Sequence, residues 1–309
     1  MRVVTYRSER GDRAGVLSDE GVVDAADLLE DAPSSVRGLL GAGALDAVAA
    51  ALAEGGGEAL DLADVELLPP VPNPQKIVCI GLNYADHAEE AGIEAPPVPT
   101  FFAKFANALV PDGATVAVPP STRRLDFEAE VAFVIGRPAK DVAAADALGH
   151  VAGYTLLNDL SARDLQFQTP QWIPGKVFDG SAPCGPALVT ADEVPDPAAI
   201  GIALDLNGER MQDSSTEHLI FGVADLVAHL STLMTLVPGD IVSTGTPAGV
   251  GSTRDPRVWL KAGDEIGDAE DQVLGARVLH PLSVEVEGCL LYTSPSPRDR
   301  TRSRMPSSA

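Results

Sequence analysis

Arg124-Leu-Asp-Phe-Glu-Ala-Glu-Val-Ala-Phe-Val-Ile-Gly136 is the stretch from which the fold is read. Its second half is apolar and its first half alternates, as a β-strand does. Side chains two apart on a strand share a face. Asp126, Glu128 and Glu130 therefore point one way, and Phe127, Ala129 and Val131 the other. Carboxylates on one face repel each other and resist unpaired burial. A hard divalent cation held by oxygen ligands relieves both problems. The same alternation also describes an ordinary half-exposed strand, so the rest of the chain has to decide.

The 309 residues can bury a full core, and 45% hydrophobic content is that of a globular protein. A net charge of −23 argues against a nucleic-acid partner, which needs a basic face. It does not exclude an anionic substrate, because a local cation can outweigh the global field. No run approaches the ~18 apolar residues of a membrane span, and Met1–Tyr6 lacks the apolar core of a signal peptide. The expectation is a cytoplasmic protein with no membrane partner. Cys79, Cys184 and Cys289 show no CxxC pairing, so neither a zinc site nor a disulfide framework is expected.

Residues 1–69 read as a small N-terminal α+β domain, with short strands at Val3–Tyr6 and Ala14–Leu17 and a helical patch near Ala44–Ala53. The proline cluster Leu68-Pro-Pro-Val-Pro-Asn-Pro74 forces an extended connection, and a domain boundary is placed there. Residues 70–288 then form the main domain. Lys76–Ile80 is a buried strand. Leu82–Ala91 is a loop turning into a short helix, on which His87 and Glu90 are neighbours. A carboxylate beside an imidazole raises its basicity and orients it, as a general base requires; a solvated helix with a chance His–Glu pair reads the same. Phe101–Phe105 and Ala114–Val118 are strands.

Val151–Leu157 is an apolar strand running into Asn158-Asp159. Asp159 is either a ligand at a strand end or the N-cap of a helix over Leu160–Phe167. Lys176, in a turn-rich segment, reads by itself as a surface residue. Asn207-Gly208 marks a hairpin, and Gly222–Val237 is the clearest helix, with His229 at the edge of its apolar stripe. Asp240–Gly251 is a strand entering a glycine-rich loop that offers backbone N–H groups to an anion. It matches neither a Walker loop nor the dinucleotide fingerprint. From Cys289 to Ala309 the composition turns abruptly: four arginines and one aspartate give +3, leaving −26 on residues 1–288. That tail resembles a translated sequencing adaptor and is expected to be non-native and unpacked.

Four stretches in this order carry a resemblance: Gly81–Glu90, Asp126–Glu130, Asn158–Asp164 and Ser243–Gly251, with Gly175–Asp179 as a fifth. Over residues 70–288 the chain resembles the fumarylacetoacetate hydrolase family in its short form. The resemblance implies a mostly-β α+β fold, a mixed β-sandwich roll with a small N-terminal α+β domain, usually as a homodimer. It implies that Glu128, Glu130 and Asp159 ligate Mg²⁺ or Mn²⁺, and that His87 and Glu90 activate water with Lys176 beside the metal. Tyr84, Arg163, Gln166, Gly245 and Thr246 would contact the substrate. The stretch 267–283 looks longer than the family's usual one, and the tail begins where a further short strand is expected. The implied activity is hydrolysis of a C–C bond in an acylpyruvate or other 2,4-dioxo acid. Two alternatives stay open. One is decarboxylation of oxaloacetate-like acids, or isomerisation of 2-hydroxymuconate- and hydroxyheptadienedioate-type acids, at the same site. The other is a non-enzymatic Ca²⁺-binding β-sandwich module.

Overall fold

The computed structural model describes residues 1–268 and Leu282–Val286. The expectations about the tail after 288, and about the long stretch before Leu282, lie outside the described residues. The fold is mostly sheet, α+β, as expected. A large mixed sheet of twelve strands forms the body. Its centre runs Ala182–Thr190, Val151–Asn158, Ala129–Ile135, Ile241–Ser243, Ile77–Gly81 and Thr100–Lys104 in spatial order. A second sheet of five strands carries the hairpin Gly201–Leu206/Glu209–Ser215 and ends on Thr115–Val118.

The central strand Ala129–Ile135 is buried on both faces, which is why its sequence is nearly continuous in apolar residues. Phe127, Ala129, Val131, Phe133 and Ile135 pack into the core shared with the helix Val223–Leu233. Ala132 and Val134 enter the other core, under the N-terminal helices. The expected single strand is interrupted: Leu125–Asp126 pairs with Ser161–Ala162 in a separate two-stranded ladder, and Ala129 opens the long strand. The alternation of Phe127, Ala129 and Val131 into the core survives that break.

Asn207 and Gly208 both take positive φ, 52° and 81°, and close the expected hairpin with Leu206 opposite Glu209. The helix Val223–Leu233 stops four residues short of the sequence expectation; Leu233 is already 55% exposed. His229 is partly buried at its edge. Cys79 and Cys184 are unpaired core residues. Among the described residues no single helix is long and apolar enough to cross a membrane.

The N-terminal strands join the large sheet, since Arg2–Ser8 pairs with Ala182–Thr190 through Arg2–Val189 and Val3–Leu188. One polar cluster organises this region. Asp24 accepts from Tyr6 Oη at 2.5 Å, from Arg13 Nη2 at 2.8 Å and from the N–H of Ala26 at 2.8 Å, so it also caps the helix Ala25–Leu28. Burial pushes the Asp24 carboxyl up, but hydrogen bonds from Arg13 and Tyr6 outweigh it and hold it below the usual range. Asp24→Ala removes a cap and strands a buried hydroxyl, so unfolding should become easier by roughly 2–4 kcal/mol. A depressed carboxyl stabilises above its unfolded pKa and loses that contribution as pH falls through its folded value. The gap between wild type and variant in urea unfolding should therefore narrow below about pH 4.

Candidate active site

Glu128, Glu130 and Asp159 each offer a carboxylate oxygen, and these oxygens lie within 4.8 Å of one another. All three residues are buried. Glu130 on the strand and Glu128 just before it share a face because Phe127, Ala129 and Val131 alternate into the core on the other. Asp159 reaches them because it follows the neighbouring strand Val151–Asn158, and its N–H donates to the Glu128 carbonyl at 2.8 Å. Asp159 is not a helix cap: the helix starts at Arg163, and Ser161–Ala162 is strand instead. Asp126, which alternation put beside the two glutamates, is turned to other partners. It pairs with Arg163 Nε at 2.8 Å and accepts from the N–H groups of Gly251 and Ser252.

Around the triad lies a ring of cations. Lys176 Nζ sits 2.7 Å from Glu128 Oε2 and 2.8 Å from Asp159 Oδ2, and Arg163 Nη2 is 2.7 Å from Glu128 Oε1. Lys176 is buried, not the surface residue its local sequence suggested, and its ammonium lies 4.9 Å from the Phe102 ring centroid. A second buried lysine had no signal in sequence reasoning. Lys104 Nζ meets Asp159 Oδ1 at 2.8 Å and donates to the carbonyls of Lys176 at 2.5 Å and Ser181 at 2.8 Å. Phe101, Phe102 and Phe105 flank it, so apolar neighbours occur on both faces of its strand. Only the fold shows that Phe102 and Lys104 face inward while Phe101 and Phe105 are 40% and 54% exposed.

These charges set the acidities. Burial pushes Glu128 up, but Lys176 and Arg163 outweigh it and bring the carboxyl down to about 2. Glu130 goes the other way: burial, then repulsion from Asp159 and Glu128, raises it well above the carboxylate range. Burial opposes the charge on Lys176, and Asp159 and Glu128 more than restore it. Three buried carboxylates in an all-oxygen donor set, one of them raised by burial and by its neighbours' charge, fit a divalent cation.

The glycine-rich loop has a different use from the one expected. Gly245 N–H donates to Glu130 at 3.1 Å, Gly249 N–H to Glu90 at 3.1 Å, and Gly251 N–H to Asp126 at 2.7 Å. The anions it binds are the protein's own carboxylates. Gly249 has φ 103°, and a Cβ there would come 2.2 Å from the Met211 carbonyl oxygen, so the loop needs glycine at this point.

A cavity of about 360 Å³ opens on Glu128 and Glu130 of the triad and is lined also by Lys176, His87, Arg163, Gln166 and Thr246 among others, with Asp159 buried behind it. His87 Nδ1 lies 3.5 Å from Glu90 Oε2 on the helix Ala85–Ala91, which ends on left-handed Gly92. Gln166 accepts from Arg163 Nη1 at 3.0 Å, and Thr246 Oγ1 accepts from Gln212 Nε2 at 2.8 Å. Of the five expected substrate contacts, Arg163, Gln166 and Thr246 line the cavity and Tyr84 and Gly245 do not. Tyr84 is fully buried and outside the cavity lining, and Gly245 spends its N–H on Glu130.

The sequence model of the fumarylacetoacetate (FAA) hydrolase C-terminal domain matches residues 76–275. The mitochondrial oxaloacetate tautomerase fahd2 of Xenopus laevis is 41% identical over 284 residues, 89% of this chain and 88% of that protein. A solved maleylpyruvate hydrolase from Sphingobium sp. SYK-6, in complex with manganese(II) and pyruvate, superposes with a TM-score of 0.75 at 30% identity, covering 93% of this chain and 99% of that one. A 2-hydroxyhepta-2,4-diene-1,7-dioate isomerase from Mycobacterium marinum superposes with a TM-score of 0.72 at 31% identity, covering 94% of this chain and 100% of that one.

Proposed function

The chain belongs to the fumarylacetoacetate hydrolase family, and from that premise we propose that it is a divalent-metal enzyme acting on a small 2-oxo acid. The carrying observation is a buried carboxylate triad two of whose members, Glu128 and Glu130, face a cavity walled by Lys176 and His87. Glu128, Glu130 and Asp159 would hold Mg²⁺ or Mn²⁺. The bound cation supplies Lewis-acid polarisation of the acid's oxo group. Lys176, clamped between Glu128 and Asp159, keeps a fixed positive charge beside the place where an enolate develops. His87 moves the proton, and Glu90, anchored by Gly249 N–H, holds the imidazole in position. Gln166 and Thr246 orient the acid from the cavity wall.

Proton transfer next to the oxo group is the step we assign, as keto–enol tautomerisation of an oxaloacetate-type acid. The tautomerase named at 41% identity supports it. C–C hydrolysis of an acylpyruvate is the second reading. There His87 takes its proton from water, and the maleylpyruvate hydrolase at 30% identity favours it. A homodimer belongs to the proposal, as does a small N-terminal α+β unit over residues 1–69, one whose strands extend the large sheet. A cytoplasmic location is not supported by that relative, whose name is mitochondrial.

Chelator-treated protein, returned to Mg²⁺ or Mn²⁺, should be offered enol-oxaloacetate and an acylpyruvate. Metal-dependent loss of the enol absorbance without pyruvate or CO₂ release is expected. Pyruvate release from the acylpyruvate with no acceleration of tautomerisation moves the assignment to hydrolysis. Inertness toward both acids, or full activity after metal removal, overturns the reading.

A further inference from the structure

The carboxylate oxygens of the triad are not equally free. One oxygen of each residue is held by a donor from outside the triad. Glu128 Oε1 faces Arg163 Nη2 at 2.7 Å, and Asp159 Oδ1 faces Lys104 Nζ at 2.8 Å. Glu130 Oε2 accepts from Ser243 Oγ and from the N–H of Gly245, the latter at 3.1 Å. The remaining oxygens are Glu128 Oε2, Asp159 Oδ2 and Glu130 Oε1. Lys176 Nζ touches the first two, at 2.7 and 2.8 Å, and among the described residues no donor sits on the third. A carboxylate oxygen has two lone pairs, so an ammonium on one leaves the other for a metal.

The three outside donors are themselves fixed. Lys104 is buried, and its ammonium also donates to the carbonyls of Lys176 at 2.5 Å and Ser181 at 2.8 Å. Arg163 is pinned by Asp126, which accepts in turn from the N–H groups of Gly251 and Ser252. Ser243 ends the strand Ile241–Ser243 and is paired with Ala132, on the same strand as Glu130. None of them can turn aside without giving up a second buried contact.

A carboxylate with one oxygen committed can ligate through the other alone. Three such ligands suit a small octahedral cation that keeps its other positions for water or substrate. Ca²⁺ takes about six to eight oxygens at roughly 2.3–2.6 Å and fills its shell with bidentate carboxylates. The donors around this triad deny it that second oxygen three times over.

We infer that Lys104, Arg163 and Ser243 are positioning residues that set the metal preference of the site: they keep Glu128, Glu130 and Asp159 monodentate and so discriminate against Ca²⁺. This rests on the metal reading of the triad and deepens it, by assigning which residues outside the triad choose between cations.

The test uses chelator-treated protein titrated with Mn²⁺, read from the electron paramagnetic resonance of the free ion, and then with Ca²⁺ as competitor. The readout is the ratio of the two dissociation constants, because a change in charge or packing alone moves both ions together. The wild type should hold Mn²⁺ about ten-fold or more tightly than Ca²⁺. Lys104→Met keeps the length of the side chain, frees Asp159 Oδ1 and should lose most of that preference. Ser243→Ala should narrow it by less, because Gly245 N–H stays on Glu130, and it decides the matter should Lys104→Met not fold. A ratio unchanged in whichever variants fold, or a wild type that binds Ca²⁺ as tightly as Mn²⁺, overturns the inference alone. Binding of neither ion overturns it together with the metal reading beneath it.

Discussion

Asp159→Ala is expected to lose both metal retention and a large part of the stability of the metal-free protein. Asp159 is fully buried and stands between two ammonium groups, Lys104 on one oxygen and Lys176 on the other, each at 2.8 Å. Its removal leaves Lys176 with Glu128 alone and Lys104 with carbonyl and hydroxyl oxygens only. Breaking a buried ion pair from one side costs about 3–5 kcal/mol, because the surviving charge is uncompensated. The proposed cation loses one of three carboxylates at the same time. The two effects separate by experiment. Urea unfolding in chelator reads the first, and Mn²⁺ titration reads the second, where a loss of 100-fold or more is expected, above the ~10–100-fold of an outer partner. Asp159→Asn, which keeps the shape, should recover part of the stability and little of the affinity. Wild-type Mn²⁺ affinity in Asp159→Asn would remove this residue from the metal site.

His87→Ala should leave the fold and Mn²⁺ binding intact and cut turnover by about 10²–10⁴-fold, the usual worth of a positioned acid or base. His87 lines the cavity but makes no contact with the triad's carboxylates closer than the 3.5 Å pair it forms with Glu90. Its helix is held by Asn83, which donates to the Phe221 and Thr244 carbonyls, and by Glu90 on Gly249 N–H, so the backbone does not depend on the imidazole. The signature is a fall in kcat with little change in KM. Glu90→Gln should give a smaller fall through misorientation of the ring. Turnover that survives His87→Ala assigns the proton to another group.

The two predictions differ in what made them visible. His87 and Glu90 stand three apart in a segment that reads as a helix, and the pair is found where that spacing puts it. The family resemblance already implied Asp159 as a metal ligand, but not its ion pair with Lys104, because nothing near it in the chain announces a lysine 55 positions earlier and flanked by phenylalanines.

Local order was legible because it is written in short periods. Alternation put Glu128 and Glu130 on one face, Asn207-Gly208 closed its hairpin, and the apolar stripe over Val223–Leu230 became a buried helix face. The motifs in their order were enough for the family. Tertiary structure alone decided how the charges are balanced. It turned Asp126 from the triad to Arg163 and to Gly251, 125 positions away, sank Lys104 beside Asp159, and gave the glycine-rich loop to the protein's own carboxylates, while Lys176 stands beside the triad as the resemblance implied. A period of two or 3.6 tells a residue which way to face. A buried charge is satisfied by whatever the topology brings opposite, and that partner comes from another strand whose distance along the chain carries no local signal.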